Sequence, residues 1–191
     1  MSEPRSPRNN VGSLIEWMRH LNAIGDIAQA RIGIDLCHHQ INEGNQYTYP
    51  FVDSDVDIAT PKYILLRTPD TTVRQQLTVS VGADDVVHAE FYENPTVDVI
   101  GDIRVFLNRN RRSTNVTSTL LYEDPTISLD NILLAHMEVG GAGLGSHKIT
   151  GEAAADVFVL ARNQDYVIKV TATADNTHVN IQPDICEATP S

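Results

Sequence analysis

The sequence predicts a mostly β fold, an antiparallel β-sandwich or jelly-roll-like domain behind an N-terminal α-helical arm. Three observations carry this. Several segments alternate apolar and polar residues with period two, the pattern of strands with one face in a core: Leu77, Val79 and Val81; Val87, Ala89 and Phe91; Ile103, Val105 and Leu107; Ile168, Val170 and Ala172. Clusters of Pro, Gly, Asn and Asp separate these short runs, as they do in sandwiches and jelly rolls. No helical pattern alternates with the strands, which disfavours a parallel α/β fold.

Residues 1–10 hold Pro4, Pro7 and no large apolar residue besides Met1, and read as a flexible leader. Val11, Leu14, Ile15, Met18, Leu21 and Ile24 then recur at helical spacing. Ser13 and Glu16 form a capping box, in which the Ser oxygen accepts one orphan backbone N–H and the Glu reaches back to another. The spacing predicts a helix from about residue 14 to about residue 30, with Gly25 as its weak point. Residues 1–32 are thus leader and amphipathic arm, and 33–191 the β domain. The arm carries the sole Trp, Trp17. Its stripe either packs on its own sheet or docks on a neighbour, and Leu14, Ile15, Trp17, Met18 and Leu21 would make that contact.

Within the β region one phrase recurs. YENPTVDVIGDI starts at Tyr92 and YEDPTISLDNIL at Tyr122. In each, Pro presets φ for a turn and the preceding Asn or Asp caps a strand end. Two such strands are expected to leave the same side of a sandwich through the same turn; two copies are too few for a solenoid.

Composition narrows the partners. The 191-residue chain has 25 acidic and 14 basic residues and a formal net charge of −11. That opposes nucleic acid and anionic membranes, both of which are bound through Lys and Arg. The apolar fraction of 41% supplies a core without help from disulfide or metal. Cys37 and Cys186 sit in neither a CxxC nor a zinc spacing and read as two small buried thiols, with a disulfide between the first and last strands as the alternative. No secretory signal and no apolar run of membrane-spanning length is present, so the expected compartment is the cytoplasm of the producing cell. The Asn115-Val116-Thr117 sequon carries little weight without secretion.

The motifs that could carry chemistry all have plainer readings. His38 and His39 are adjacent, and on a regular strand they would point to opposite faces. His88, His136, His147 and His178 lack local partners at metal spacing. Asp53, Asp55 and Asp57 alternate, but the Gly and Glu of a calcium loop are missing. The Gly-rich stretch Val139 to His147 lacks the phosphate-loop Lys and reads as a long turn. Asn108-Arg109-Asn110-Arg111-Arg112 is the one basic cluster; Arg109, Arg111 and Arg112 are either a solvated turn or contacts for an acidic partner. No catalytic residue, cofactor site or metal site is assigned.

From about Cys37 to about Cys186 the chain resembles a family of tailed-bacteriophage virion structural proteins of the capsid decoration, or minor head, type. Four ordered pieces carry the resemblance: CHHQINEGNQYTY as an entry strand, LLRTPDTT (Leu65 to Thr72), FLNRNRRS (Phe106 to Ser113), and FVLARNQDYVIKVTATADNTHVNIQ (Phe158 to Gln182) as closing strands. The resemblance implies a β-sandwich cement protein on the capsid surface of the virion. Its partners are the major capsid protein and neighbouring copies of itself, expected as a homotrimer, with no nucleic acid and no membrane. It brings no catalytic residue, and the helix at 14–30 departs from the family's short extended leader. A head–tail junction or tail-associated protein, and a carbohydrate- or receptor-binding β-sandwich module, are the other readings; the aromatic fraction of 6% is low for the last.

Overall fold

Alternating segments become strands across 60% of the residues described, 39–140 and 157–188, in this computed structural model. Every pairing is antiparallel. The chain falls into two units, 1–40 and 41–191. The predicted arm, Cys37, and the Gly-rich stretch beyond Gly140 lie outside the described residues. The piece read as an entry strand begins differently: residues 39–43, His39 included, are helical, and the strand itself is only β1 (Gln46–Thr48).

The first sheet is built on its longest strand, β14 (Thr177–Ala188). One side of β14 pairs with β4 (Arg74–Ala83) over ten register positions, from Val179↔Ala83 to Ala188↔Arg74. The other side is shared by β2 (Phe51–Val56) and β1. Pro183 sits between those two partners. Its carbonyl accepts from the Tyr49 N–H (3.1 Å), and a strand residue's N and C=O point the same way. The missing Pro donor therefore faces the gap between β1 and β2, where no ladder bond is lost. β12 (Phe158–Leu160) extends the sheet beyond β4, and β8 (Leu107–Asn108) beyond β1.

The second sheet runs β11 (Ile132–Val139), β5 (Val87–Glu93), β13 (Asp165–Ala172), β3 (Lys62–Arg67), β9 (Leu120–Glu123), β7 (Asp102–Arg104). The sheets bury facing sides in one core, the arrangement of a β-sandwich: Leu77, Val81, Ile181 and Ile185 from the first meet Ile64, Leu66, Phe91, Ile168 and Val170 from the second. Phe91 links the layers, its ring 5.0 Å from Phe158 and 5.6 Å from Tyr166. Such pairs add about 0.5–1.5 kcal/mol beyond their buried area.

One predicted strand is corrected. Ile103, Val105 and Leu107 do not form a single strand facing the core; they are 61%, 74% and 45% exposed. The chain leaves the second sheet after Arg104 and joins the first at Leu107, and Phe106 is the side chain buried at the crossing. β7 is exposed at all three positions, and only from Phe106 onward, where the chain changes sheet, do the even residues Phe106 and Asn108 turn inward.

The repeated phrase becomes a local two-fold. Asp102↔Glu123 and Ile103↔Tyr122 in one half match Ile132↔Glu93 and Leu133↔Tyr92 in the other. Chain reversals fall at matching positions in left-handed backbone: Asn94 (φ 61°) with Asp124 (50°), and Gly101 (82°) with Asn131 (70°). Between them, β6 (Thr96–Val99) and β10 (Thr126–Leu129) pair as a ribbon centred on Val97↔Ile127. β5 and β7 stand four positions apart, about 19 Å at the strand spacing. The inner face belongs to the core, so β6 crosses the outer face, and β10 crosses it in the opposite direction. The sheet's own centre is the pair Val167↔Leu65, flanked by Tyr92 and Tyr122. Leu65 and Val167 face away from the shared core yet are fully buried, as residues under the ribbon must be.

Two polar clasps tie the layers. Tyr49, just after β1, donates to Glu123 Oε1 on β9, and Arg104 Nε donates to Glu123 Oε2 (2.6 Å). Burial, then the Glu123 hydrogen bond, pushes the Tyr49 hydroxyl up to about 12. Lys62 Nζ of β3 lies 2.8 Å from Asp53 Oδ2 of β2. The Lys62 hydrogen bond holds the Asp53 carboxyl below its usual 3.8, and the same bond raises Lys62 above 10.5.

Three outcomes are expected. A Cβ at Gly101 would lie 2.1 Å from the Glu123 carbonyl oxygen, so Gly101→Ala costs about 2 kcal/mol or more in urea unfolding. Asn131→Gly, at the matching position, changes stability by under about 1 kcal/mol, because glycine accepts the same φ and only the Asn131 Nδ2 bond to Asn94 O (2.7 Å) is lost. A depressed carboxylate contributes stability above its unfolded pKa and loses it as pH falls through the folded one. Wild type should therefore lose up to about 1 kcal/mol more than Asp53→Asn as pH falls from about 5 to below the usual carboxylate range, by unfolding at each pH.

Candidate functional site

After Phe106 the chain enters the segment where the sequence shows Asn and Arg in alternation. Asn108, almost fully buried beside Tyr47, spans the base of a loop that runs to Thr119. Its Nδ2 donates to Gly44 O (2.8 Å) and Asn115 O (3.0 Å), and its Oδ1 accepts from Asn110 N–H (2.8 Å). Asn110 repeats the device: Nδ2 donates to Asn42 O (2.8 Å) and Oδ1 accepts from Arg112 N–H (3.1 Å). Asn115 Nδ2 donates to Glu43 O (3.2 Å). The loop is thereby fastened to the 42–45 turn. Gly44 (φ 73°) permits the approach, since a Cβ there would lie 2.2 Å from Ser113 Oγ.

The far end is held by the last strand. Glu187 Oε1, near the end of β14, accepts from Thr117 Oγ1 (2.6 Å), Ser118 Oγ (2.8 Å), Ser118 N–H (2.9 Å) and Thr119 N–H (3.3 Å). Charged acceptors make hydrogen bonds about twice as strong as neutral ones. A loop of this length thus has its backbone fixed at both ends before any partner arrives.

With the asparagines turned to the frame, the arginines are left to solvent. Arg109 Nη1 lies 3.6 Å from Asp184 Oδ2. Arg111 donates through Nη1 to Asn108 O (3.4 Å), a long contact, and both Arg111 and Arg112 are exposed. Among the described residues neither is within ion-pair distance of a carboxylate. Val116, beside them, is 80% exposed.

The other predicted site residues divide clearly. Leu14, Ile15, Trp17, Met18 and Leu21 lie outside the described residues. Of the three aspartates, Asp53 is engaged by Lys62 and Asp57 accepts from Asn176 N–H (3.2 Å). His88 and His136, far apart in sequence, stack at 5.6 Å on the outer face, with His136 Nδ1 3.4 Å from Glu90. No group of three metal-ligating side chains occurs among the described residues. A polar cleft of about 370 Å³ is lined by Arg67, Asn94, Asn163, Gln164 and Asp165, where the Arg67 fork meets Asp165 through two 2.7 Å bonds.

Sequence reasoning found the arginines and missed what holds them: Asn108, Asn110, Asn115, the 42–45 turn and Glu187. The alternation of Asn with Arg was the available signal, since short amide side chains bond nearby backbone in turns while the charged side chains between them stay hydrated. Glu187 had none, because its partners are about seventy residues away. Compared with protein-family models, with curated proteins and with solved structures, the chain matches none.

Glu187→Ala strands the Ser118 N–H, while the Thr119 N–H keeps Thr117 Oγ1 (3.1 Å), and is expected to cost about 1–3 kcal/mol in denaturant unfolding. It should also accelerate amide exchange at residues 117–119 while leaving the β3–β13 ladder protected.

Proposed function

We propose that this chain is a virion structural protein that binds the outer capsid surface of a tailed bacteriophage and stabilises the shell as a decoration protein. The observation that carries this reading is how the four resembling sequence pieces meet. The piece starting at Cys37 holds the piece starting at Phe106, through Asn108 to Gly44, Asn110 to Asn42, and the Arg109 N–H to Gln46 O (2.9 Å). The piece starting at Leu65 holds the piece starting at Phe158: Thr68 Oγ1 donates to Ala161 O (2.7 Å), and Arg67 pairs with Asp165. Segments far apart in sequence are thus two contacting sets, which supports reading the four pieces as parts of one unit.

The partners in this reading are the major capsid protein and neighbouring copies, as a homotrimer. The locked loop faces the shell, and the arm, Leu14 to Ala30, holds a neighbour. Binding several shell subunits at once gives avidity that no single contact supplies. A second reading, a glycan- or receptor-binding module, is favoured by the polar cleft around Arg67 and Asp165, whose amides and ion pair could bond hydroxyl groups. Tight, selective glycan-array binding lost in Arg67→Ala would establish it instead.

Copy number on intact particles tests the main reading. Decoration requires copies in proportion to shell subunits, whereas a head–tail junction needs a single ring. Deleting residues 1–30 is expected to reduce shell occupancy and dissociate the trimer, read by sedimentation and gel densitometry; unchanged occupancy and oligomer state would remove the arm from the account.

A further inference from the structure

We propose that the 108–119 loop is an orienting contact for a carboxylate-rich protein surface. This deepens the surface-docking function and rests on it. The chain carries a net charge of −11, so most directions of approach repel an acidic surface. At Arg111 and Arg112 the sign is reversed. The nearby acids are already committed, Asp184 to Arg109 and Glu187 to four donors of the loop. Glu43, on the supporting turn, is exposed and joins no ion pair among the described residues.

Three physical features suit this role. Screening at physiological salt confines charge effects to about 8 Å, so a partner meeting the loop senses the arginines before the acidic body behind them. Each guanidinium offers a planar fork that fits a carboxylate with two parallel hydrogen bonds. The backbone is already fixed by Asn108, Asn110 and Glu187, so binding orders side chains only, and exposed Val116 adds apolar area beside the charges. Attraction at one loop and repulsion elsewhere select orientation as much as affinity.

The test uses the full chain with two probes. The first is an octaglutamate peptide at low salt, followed by amide chemical shifts. Perturbations are expected to centre on residues 109–116, to vanish in Arg111→Glu/Arg112→Glu, and to persist in Arg162→Glu, a charge reversal at an exposed arginine in the turn between β12 and β13. The second probe is undecorated shells, followed by association rate. The loop variant should bind at least about tenfold more slowly and the control variant within about twofold of wild type, with the wild-type rate falling steeply as salt rises. Arg111→Lys/Arg112→Lys should keep the fast association and dissociate faster, since charge remains and the fork is lost. Octaglutamate that fails to bind, or binds away from the loop, overturns the proposal, as does equal slowing by the two charge reversals. Wild-type protein that ignores shells while octaglutamate binds the loop would defeat the shell reading and leave this contact standing.

Discussion

The whole arrangement depends on the last strand pairing along both of its sides. Among the described residues β14 alone joins β4 to β1 and β2, so the first sheet has no middle until residues 177–188 are in place. Nearly every pairing that builds the sheet spans a long stretch of sequence, so loop-closure entropy is met before the contacts repay it; slow, late consolidation of this layer is what such topology implies. Pro183 shows how closely the strand fits its place, since a proline is tolerated only at the gap between two partners. The same strand then ends in Glu187, which fixes the loop that carries the exposed arginines. Closing the sheet and shaping the 108–119 loop are one event.

The second sheet reaches rigidity by another route. Its halves are related by a local two-fold that gives β7 and β11 matching pairings, and the ribbon straps the outer face over Leu65 and Val167. This sheet therefore buries apolar side chains on both faces at its centre, unlike an ordinary half-solvated antiparallel sheet. The duplication also leaves matching apolar residues outside: Val99 with Leu129, and Ile103 with Leu133, each at least half exposed. With Tyr49–Glu123 and Lys62–Asp53 fastening the layers, the loop at 108–119 projects from a stiff body.

Much of this was legible in sequence, and the reasons for the failures are physical. Val87, Ala89, Phe91 and Ile168, Val170, Ala172 face the core as their alternation requires, because both lie in strands paired on each side. The Tyr-Glu-[Asn/Asp]-Pro-Thr echo foretold two equivalent turns, and Asn94 and Asp124 adopt the left-handed backbone that short polar side chains tolerate. Alternation at Ile103, Val105 and Leu107 misled because period two states that a stretch is extended but not which face is buried; Phe106 decided that. The buried pair Leu65 and Val167 could not be foreseen, since their cover comes from a ribbon whose strands lie elsewhere in the chain. For the loop, charge was visible and support was not, as charge is local whereas the Glu187 contact is long-range.

The functional account claims that the 108–119 loop is already shaped in the free protein and is the part that meets the shell. Hydrogen–deuterium exchange of the full chain, free and bound to shells, measures both halves of that claim together. The account predicts protected amides at Asn110, Arg112, Ser113, Ser118 and Thr119 in the free protein, with further protection across 108–119 on the particle. Exchange at unstructured rates in the free protein, or no change in the loop on bound particles, would contradict it.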